Sequence, residues 1–204
     1  MHRHDLTGLV LAGGQGSRMD GQDKGLICYE GQPMAMHALK TLGTVADTLL
    51  ISANRSLDVY EALGYPVVTD EEADFQGPLS GVVAGMKVAR TPFVMVLPCD
   101  MPKVTQSVLE AILFAHQDNP DQPLFVAHDG ERTQPLLMLA RTDLEESLRS
   151  FLRAGGRKVL GWVEQHPHIK VDLSPWRSCL LNINRPEDLS VSVLQGVAKA
   201  PSRV

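Results

Sequence analysis

Phe93-Val94-Met95-Val96-Leu97-Pro98-Cys99-Asp100-Met101-Pro102 decides the fold. Its first five residues are uninterrupted apolar side chains and read as the strongest strand of the chain. Two prolines and an aspartate then end it abruptly. Helical patterns stand on either side: Gly77-Pro78 opens a small-residue helix running to about Ala89, and Thr105 to His116 is amphipathic, with Thr105 placed as its cap.

Outward from this strand the alternation continues. Gly8 to Ala12 is a short apolar run closed by glycines, a buried strand. Pro33 opens a helix with Ala35, Ala38/Leu39, Leu42 and Val45/Ala46 at helical spacing. Thr48 to Ser52 is strand-like, Asp58 to Leu63 a short helix and Pro66 to Thr69 another strand. Strands separated by helices at these distances pair in parallel through right-handed crossovers, which predicts an α/β layered sheet. The later part changes character. Leu124 to Ala127 and Leu136 to Leu139 flank His128-Asp129-Gly130-Glu131, and Asp-Gly signals a tight turn between antiparallel strands. Helices are predicted over Leu144 to Arg153 and Lys158 to His166, a strand over His168 to Leu173, and a last helix from Pro186. The expected architecture is three-layered and Rossmann-like: a mostly parallel sheet with a mixed, antiparallel edge. One domain is expected over residues 1–195, with 196–204 a loose tail.

Composition agrees with a single enzyme-sized domain. A 204-residue chain buries about 70% of its surface on folding, enough for a full core without disulfides or structural metal. Lys plus Arg number 19 against 24 Asp plus Glu, a net charge of −5 that argues against a nucleic-acid coat or a polybasic membrane binder. Cys28, Cys99 and Cys179 form no C-x-x-C pair and fit a reducing cytoplasm. The apolar run after Met1 has only a strand's length, so neither a signal peptide nor a membrane span is expected. His2 and His4 read as part of a solvated terminus.

Four stretches could carry chemistry. Leu11-Ala12-Gly13-Gly14-Gln15-Gly16-Ser17-Arg18-Met19 follows the first strand. Consecutive glycines let several N–H groups face one anion, and Arg18 and Lys24 add the cations a polyphosphate requires. A flexible glycine turn with two solvated cations is the plainer alternative. Pro98-Cys99-Asp100-Met101-Pro102 puts a carboxylate at a strand's carboxyl end, where open α/β sheets bind ligands and where one aspartate suffices to hold Mg²⁺ beside substrate phosphates. Asp100 would otherwise cap the next turn, and Cys99, with no histidine partner visible, reads as a packing residue. Asp70, after Pro66-Val67-Val68-Thr69, and the helix start Gly77-Pro78-Leu79-Ser80-Gly81 suit a planar base such as guanine. Ser52, Asn54 and Arg55 could reach ribose or base, or be turn residues. Asn182 and Asn184 alternate around Ile183, as on one face of a strand, and Asn184 with Glu187 also matches a capping box.

Together these stretches resemble the molybdenum cofactor guanylyltransferases, within the wider nucleotidyltransferase group. The resemblance rests on L-A-G-G-x-G-S-R-M, Asp23-Lys24-Gly25-Leu26, V-T-D, G-P-L-S-G, P-C-D-M-P and Leu181-Asn182-Ile183-Asn184-Arg185-Pro186-Glu187-Asp188, in order over roughly residues 6 to 190. It implies a nucleotidyltransferase fold and transfer of GMP from GTP to the terminal phosphate of molybdenum-loaded molybdopterin, with release of pyrophosphate. It places Leu11, Ala12, Gly13 and Gly14 against the nucleotide, Lys24 and Arg18 on the phosphates, Asp70 on the guanosine part, Asp100 on nucleotide and Mg²⁺, and Asn182 with Asn184 near the pterin. It implies no nucleic-acid or membrane partner, a monomer, and passing contacts with a molybdenum insertase and with molybdoenzyme chaperones. Two positions depart from the family: Asp20 stands where it often has glycine, and Ser52 where its N-A-N-R segment begins with asparagine. Two other readings are a nucleotidyltransferase using CTP or a sugar phosphate, separated by base selection, and a non-catalytic nucleotide-binding module, separated by pyrophosphate release.

Overall fold

A computed structural model describes residues 1–12, 22–70, 77–184 and 188. The strands are β1 (Leu6–Leu11), β2 (Cys28–Tyr29), β3 (Gln32–Pro33), β4 (Thr48–Ser52), β5 (Val67–Val68), β6 (Phe93–Pro98), β7 (Leu124–His128), β8 (Thr133–Arg141) and β9 (Ile169–Asp172). The helices are α1 (Met34–Leu42), α2 (Leu57–Glu61), α3 (Pro78–Val88), α4 (Gln106–Asp118), α5 (Glu145–Arg153) and α6 (Val159–Val163). Seven strands form one sheet in the order β5-β4-β1-β6-β8-β7-β9, and β2 with β3 makes a separate two-stranded ribbon. β5, β4, β1 and β6 run parallel. β8 is antiparallel to both β6 and β7, and β9 rejoins in parallel beside β7, so the expected mixed edge is present.

Side-chain alternation along the central strands builds the three layers. Val10, Ile51, Met95 and Leu97 face one apolar cluster with α1 and α4. Leu9, Leu11, Leu50, Val94 and Val96 face the other, with α3, α5 and α6. Burying every residue of β1 and β6 is what two helical layers require of a central parallel strand.

Several boundaries differ from expectation, each for a local reason. The strand expected from Leu136 begins at Thr133 and runs through Pro135. A register shift between Val126 and Ala127 accommodates the proline, which has no N–H to give the ladder. The strand expected over Pro66 to Thr69 is only Val67–Val68, because it pairs with β4 alone at the sheet's edge. The helix expected over Lys158 to His166 is one short segment, Val159–Val163, closed by turns from Gln165 N–H to Trp162 and from His166 N–H to Val163 before Pro167. Thr105 occupies the N-cap of α4, but its hydroxyl makes no capping bond. The terminus with His2 and His4 is tied down, since the Arg3 guanidinium reaches Asp47 at 2.9 Å and the Gly43 carbonyl at 2.7 Å. The helix expected from Pro186 falls outside the described residues except at Asp188.

Candidate active site

Parallel order puts the carboxyl ends of β1, β4, β5 and β6 on one edge of the sheet. Ala12, Ala53 to Arg55, Asp70 and Asp100 therefore gather there from distant parts of the chain. Ala12 N–H donates to the Ser52 carbonyl at 2.9 Å and Cys99 N–H to the Leu11 carbonyl at 3.0 Å, so the turns leaving β4, β1 and β6 are bonded side by side. The side chains of Leu11 and Ala12 are buried, which leaves their main chain as the surface a ligand can meet.

At the centre of the edge, Lys24 Nζ donates to Asp100 Oδ2 at 2.8 Å and to Asn184 Oδ1 at 2.8 Å. Asn182 Nδ2 donates to the same Asp100 oxygen at 3.2 Å. The lysine and aspartate side chains retain 16% and 18% of their exposure, so the pair is mostly withdrawn from water yet open to a ligand. Asp100 Oδ1 is buried and, among the described residues, accepts no hydrogen bond. An orphaned anionic oxygen of this kind is costly unless something occupies it, and a hard cation suits it chemically. Among the described residues no group of three or more His, Cys, Asp or Glu converges for a metal.

Asn182 and Asn184 do project to the same side of the chain, with Ile183 buried between them, but not from a strand. Ile183 N–H donates to the Asp100 carbonyl at 2.8 Å, a single bridge without a ladder. Ile183 packs with Tyr29 and Met34, which anchors the segment over the β2–β3 ribbon. The capping box expected of Asn184 with Glu187 falls outside the described residues, but Asn184 has partners within them. Its amide oxygen belongs to Lys24, and its backbone N–H is taken by Asp188 Oδ2 at 2.8 Å, while Glu187 lies outside the described residues.

A second cluster surrounds Asp70. Asn54 Nδ2 donates to Asp70 Oδ2 at 2.7 Å, and Asp70 N–H returns a bond to Asn54 Oδ1 at 2.9 Å. The Ser80 hydroxyl lies 2.7 Å from the same carboxylate oxygen and 2.5 Å from the Gly77 carbonyl, sharing one proton between them. Among the described residues Asp70 Oδ1 is buried without a hydrogen bond, as are Asp100 Oδ1 and Asp23 Oδ2. Asn54 thus serves Asp70, and the Ser80 hydroxyl was not singled out by sequence. Ser52 turns instead toward α3. A Cβ on Gly81 would lie 2.3 Å from Ser52 Oγ, so the small residues of Gly-Pro-Leu-Ser-Gly do permit a close approach.

A third cluster holds the segment before Lys24. The Tyr60 hydroxyl donates to Asp23 Oδ1 at 2.6 Å, and Arg55 bonds the Gln22 carbonyl at 2.9 Å while its Nε faces Asp23 Oδ2 at 3.4 Å. Burial above all, reinforced by the bond to Asp23, pushes the Tyr60 hydroxyl well above the ordinary tyrosine range, so it stays a donor. Arg55 therefore braces the chain before Lys24 rather than reaching out from a turn. Tyr60 carried no signal beyond one aromatic in a short helix. Cys99 is buried, and burial followed by the neighbouring Asp100 charge pushes its thiol far up, which suits packing and not nucleophilic attack. Gly13, Gly14, Arg18 and Asp20 lie outside the described residues.

A doubly wound sheet with cation, carboxylates and amides converging at the carboxyl edge is the site of an α/β nucleotide-binding enzyme. The family model for the MobA-like NTP transferase domain matches residues 8–169. The molybdenum cofactor guanylyltransferase of Shewanella piezotolerans is 37% identical over 89% of this chain and 89% of its own length. That of Burkholderia ambifaria is 44% identical over 85% of this chain and 88% of its own. The chain belongs to the family of molybdenum cofactor guanylyltransferases, which are nucleotidyltransferases. The fold is shared with molybdopterin-guanine dinucleotide biosynthesis protein A of Archaeoglobus fulgidus (TM-score 0.75, 20% identity, 94% and 100% of the two chains). It is also shared with 2-C-methyl-D-erythritol 4-phosphate cytidylyltransferase of Thermus thermophilus (TM-score 0.69, 17% identity, 93% and 98%).

Proposed function

We propose that this chain transfers GMP from GTP to the terminal phosphate of molybdenum-loaded molybdopterin, releasing pyrophosphate and leaving the guanine dinucleotide cofactor. The observation that carries the reading is the position of Lys24 Nζ, 2.8 Å from both Asp100 Oδ2 and Asn184 Oδ1, where donor and acceptor halves of the site meet.

The chemistry needs little of the protein beyond placement. A phosphate oxygen of the pterin attacks the α-phosphorus, and the bond from that phosphorus to the bridging oxygen of the β-phosphate breaks. The nucleophile is already anionic, so no general base is required. Lys24 exchanges its present partners for phosphate oxygens and neutralises charge on the leaving pyrophosphate. Arg18, outside the described residues, is assigned the same task on the strength of the family resemblance, and the Leu11 to Gly14 main chain is assigned to the nucleotide. Asp70, held by Asn54 and Ser80, presents its unbonded Oδ1 to the guanosine part, a carboxylate acceptor suited to the paired N–H donors of guanine. Asn182 and Asn184 orient the pterin phosphate over Asp100.

Asp100 Oδ1 is the atom that would hold a divalent ion, taken here as Mg²⁺, with phosphate oxygens and water completing its shell. Held there, the ion would supply charge neutralisation for the triphosphate. A catalytic domain over residues 1–195, monomeric and cytoplasmic, with brief contacts to an insertase and to molybdoenzyme chaperones, completes the proposal. Among the described residues no helix is long and apolar enough to cross a membrane.

Pyrophosphate release with each of the four nucleoside triphosphates, Mg²⁺, molybdopterin and molybdate tests the reading. Release with GTP alone, dependent on the pterin, is expected. Release with CTP would overturn the base assignment, and nucleotide binding without release would make the chain a binding module.

A further inference from the structure

The lysine at the centre of the site stands on a very short element. Lys24–Leu26 is a single turn of 3-10 helix, too short to fix a side chain by its own hydrogen bonds. Its position is set by what lies beneath it. Asp23, the residue before Lys24, is held by the Tyr60 hydroxyl at 2.6 Å, while its own carbonyl accepts the Leu26 N–H at 3.0 Å. Gly25, the residue after, lies directly on the same hydroxyl: a Cβ there would stand 2.3 Å from Tyr60 Oη and 3.2 Å from the Ala12 Cβ. Tyr60 is fully buried, and the Asp23 side chain is only 8% exposed. One phenol thus touches both flanks of Lys24 from inside the core.

We propose that Tyr60, acting through Asp23, is a positioning residue that fixes Lys24 for the triphosphate. The proposal rests on the reading of Lys24 as a phosphate ligand. Because Tyr60 never reaches the ligand, its contribution passes entirely through the loop it holds. The hydroxyl keeps its proton throughout the working pH range, so Asp23 always has its donor. Gly25 completes the contact, since any larger residue would lift the turn off the hydroxyl.

The test is a double-mutant cycle between Tyr60→Phe and Lys24→Ala. It is read by the Kd of Mg·GTP in titration calorimetry and by kcat/KM for pyrophosphate release. Tyr60→Phe keeps the ring and the packing. In the Lys24 background it should weaken Mg·GTP and lower kcat/KM by about tenfold, the scale of one charge-assisted hydrogen bond. In the Lys24→Ala background the same change should alter both by less than about twofold, because the group being positioned is gone. Equal losses in the two backgrounds would show a general structural role and overturn the proposal, as would no loss in either. Should Tyr60→Phe not fold, Asp23→Ala, which takes away the acceptor of the Tyr60 hydroxyl, enters the same cycle with the same expectation. The calorimetric arm separates the two levels. If no triphosphate yields pyrophosphate but Mg·GTP still binds with the predicted non-additivity, the transfer reaction fails and the positioning role stands.

Discussion

Lys24 Nζ and Asp100 Oδ2 lie 2.8 Å apart although 76 residues separate them in sequence. The pair joins the loop after β1 to the end of β6, and the asparagines of the 181–184 segment bond to both members. Charges held this close and mostly out of water are expensive to assemble for stability alone. On the proposed function their placement serves a triphosphate, which would meet the cation and the carboxylate at one point.

Lys24→Ala and Asp100→Ala should each lower kcat/KM by about a hundredfold to a thousandfold, the range for losing one preorganised charge at a transition state. The double variant removes both charges together, so its unfolding midpoint should stay within about 4 °C of the parent. Steady-state rates and thermal melts on the same preparations check this. Turnover equal to the parent in either single variant, with the fold intact, would remove these roles.

Ser80→Ala deletes one of the two side-chain donors to Asp70 Oδ2 and the bond from the same hydroxyl to the Gly77 carbonyl. The KM for GTP should rise by about threefold to tenfold with a smaller change in kcat, the pattern of lost ground-state binding. A fall in kcat at constant KM would place Asp70 on the reacting phosphates instead.

Gly81→Ala brings a methyl within 2.3 Å of Ser52 Oγ and 3.2 Å of Leu11 Cδ2. Overpacking of this kind should cost about 1–3 kcal/mol by denaturant titration. Ser52→Ala removes the hydroxyl responsible, so Ser52→Ala/Gly81→Ala should recover most of that loss. Failure of the second change to recover stability would mean that the clash is with β1 rather than with Ser52.

Asp129, buried at the β7–β8 turn, accepts bonds from the N–H groups of Arg132 and Glu131 and from the Gln134 amide, which hold its carboxyl down at about 2. A depressed folded-state value means stability that is present above the unfolded value near 4 and lost as pH falls through 4 toward 2. Asp129→Asn should therefore flatten the acid limb of the stability curve between those pH values by about 1–2 kcal/mol. Urea midpoints of both proteins at pH 6 and pH 3 give the comparison. An unchanged acid limb would assign acid sensitivity to other carboxylates.

The parallel half of the fold was legible because each strand there is a closed apolar run followed by a polar turn, as Phe93 to Asp100 shows. Asp70 and Asp100 could be picked out as carboxylates at strand ends, Lys24 as a cation following the glycine-rich stretch, and the two asparagines as alternating amides. Their partners could not. Tyr60 meets Asp23 and Ser80 meets Asp70 only through tertiary packing, and no local pattern announces such a pair. β8 begins at Thr133, ahead of the apolar run from Leu136, because a bulge absorbs Pro135. Alternation in the asparagine segment is visible in the sequence, whereas its pairing is not: among the described residues Ile183 bonds Asp100 without a ladder.

The most direct measurement is transfer of label from α-phosphate-labelled GTP to molybdenum-loaded molybdopterin by the purified chain with Mg²⁺. The account predicts label in a pterin–guanine dinucleotide, one equivalent for each pyrophosphate released, and none when CTP replaces GTP. Label that stays in GTP, or appears as free GMP regardless of the pterin, would contradict it.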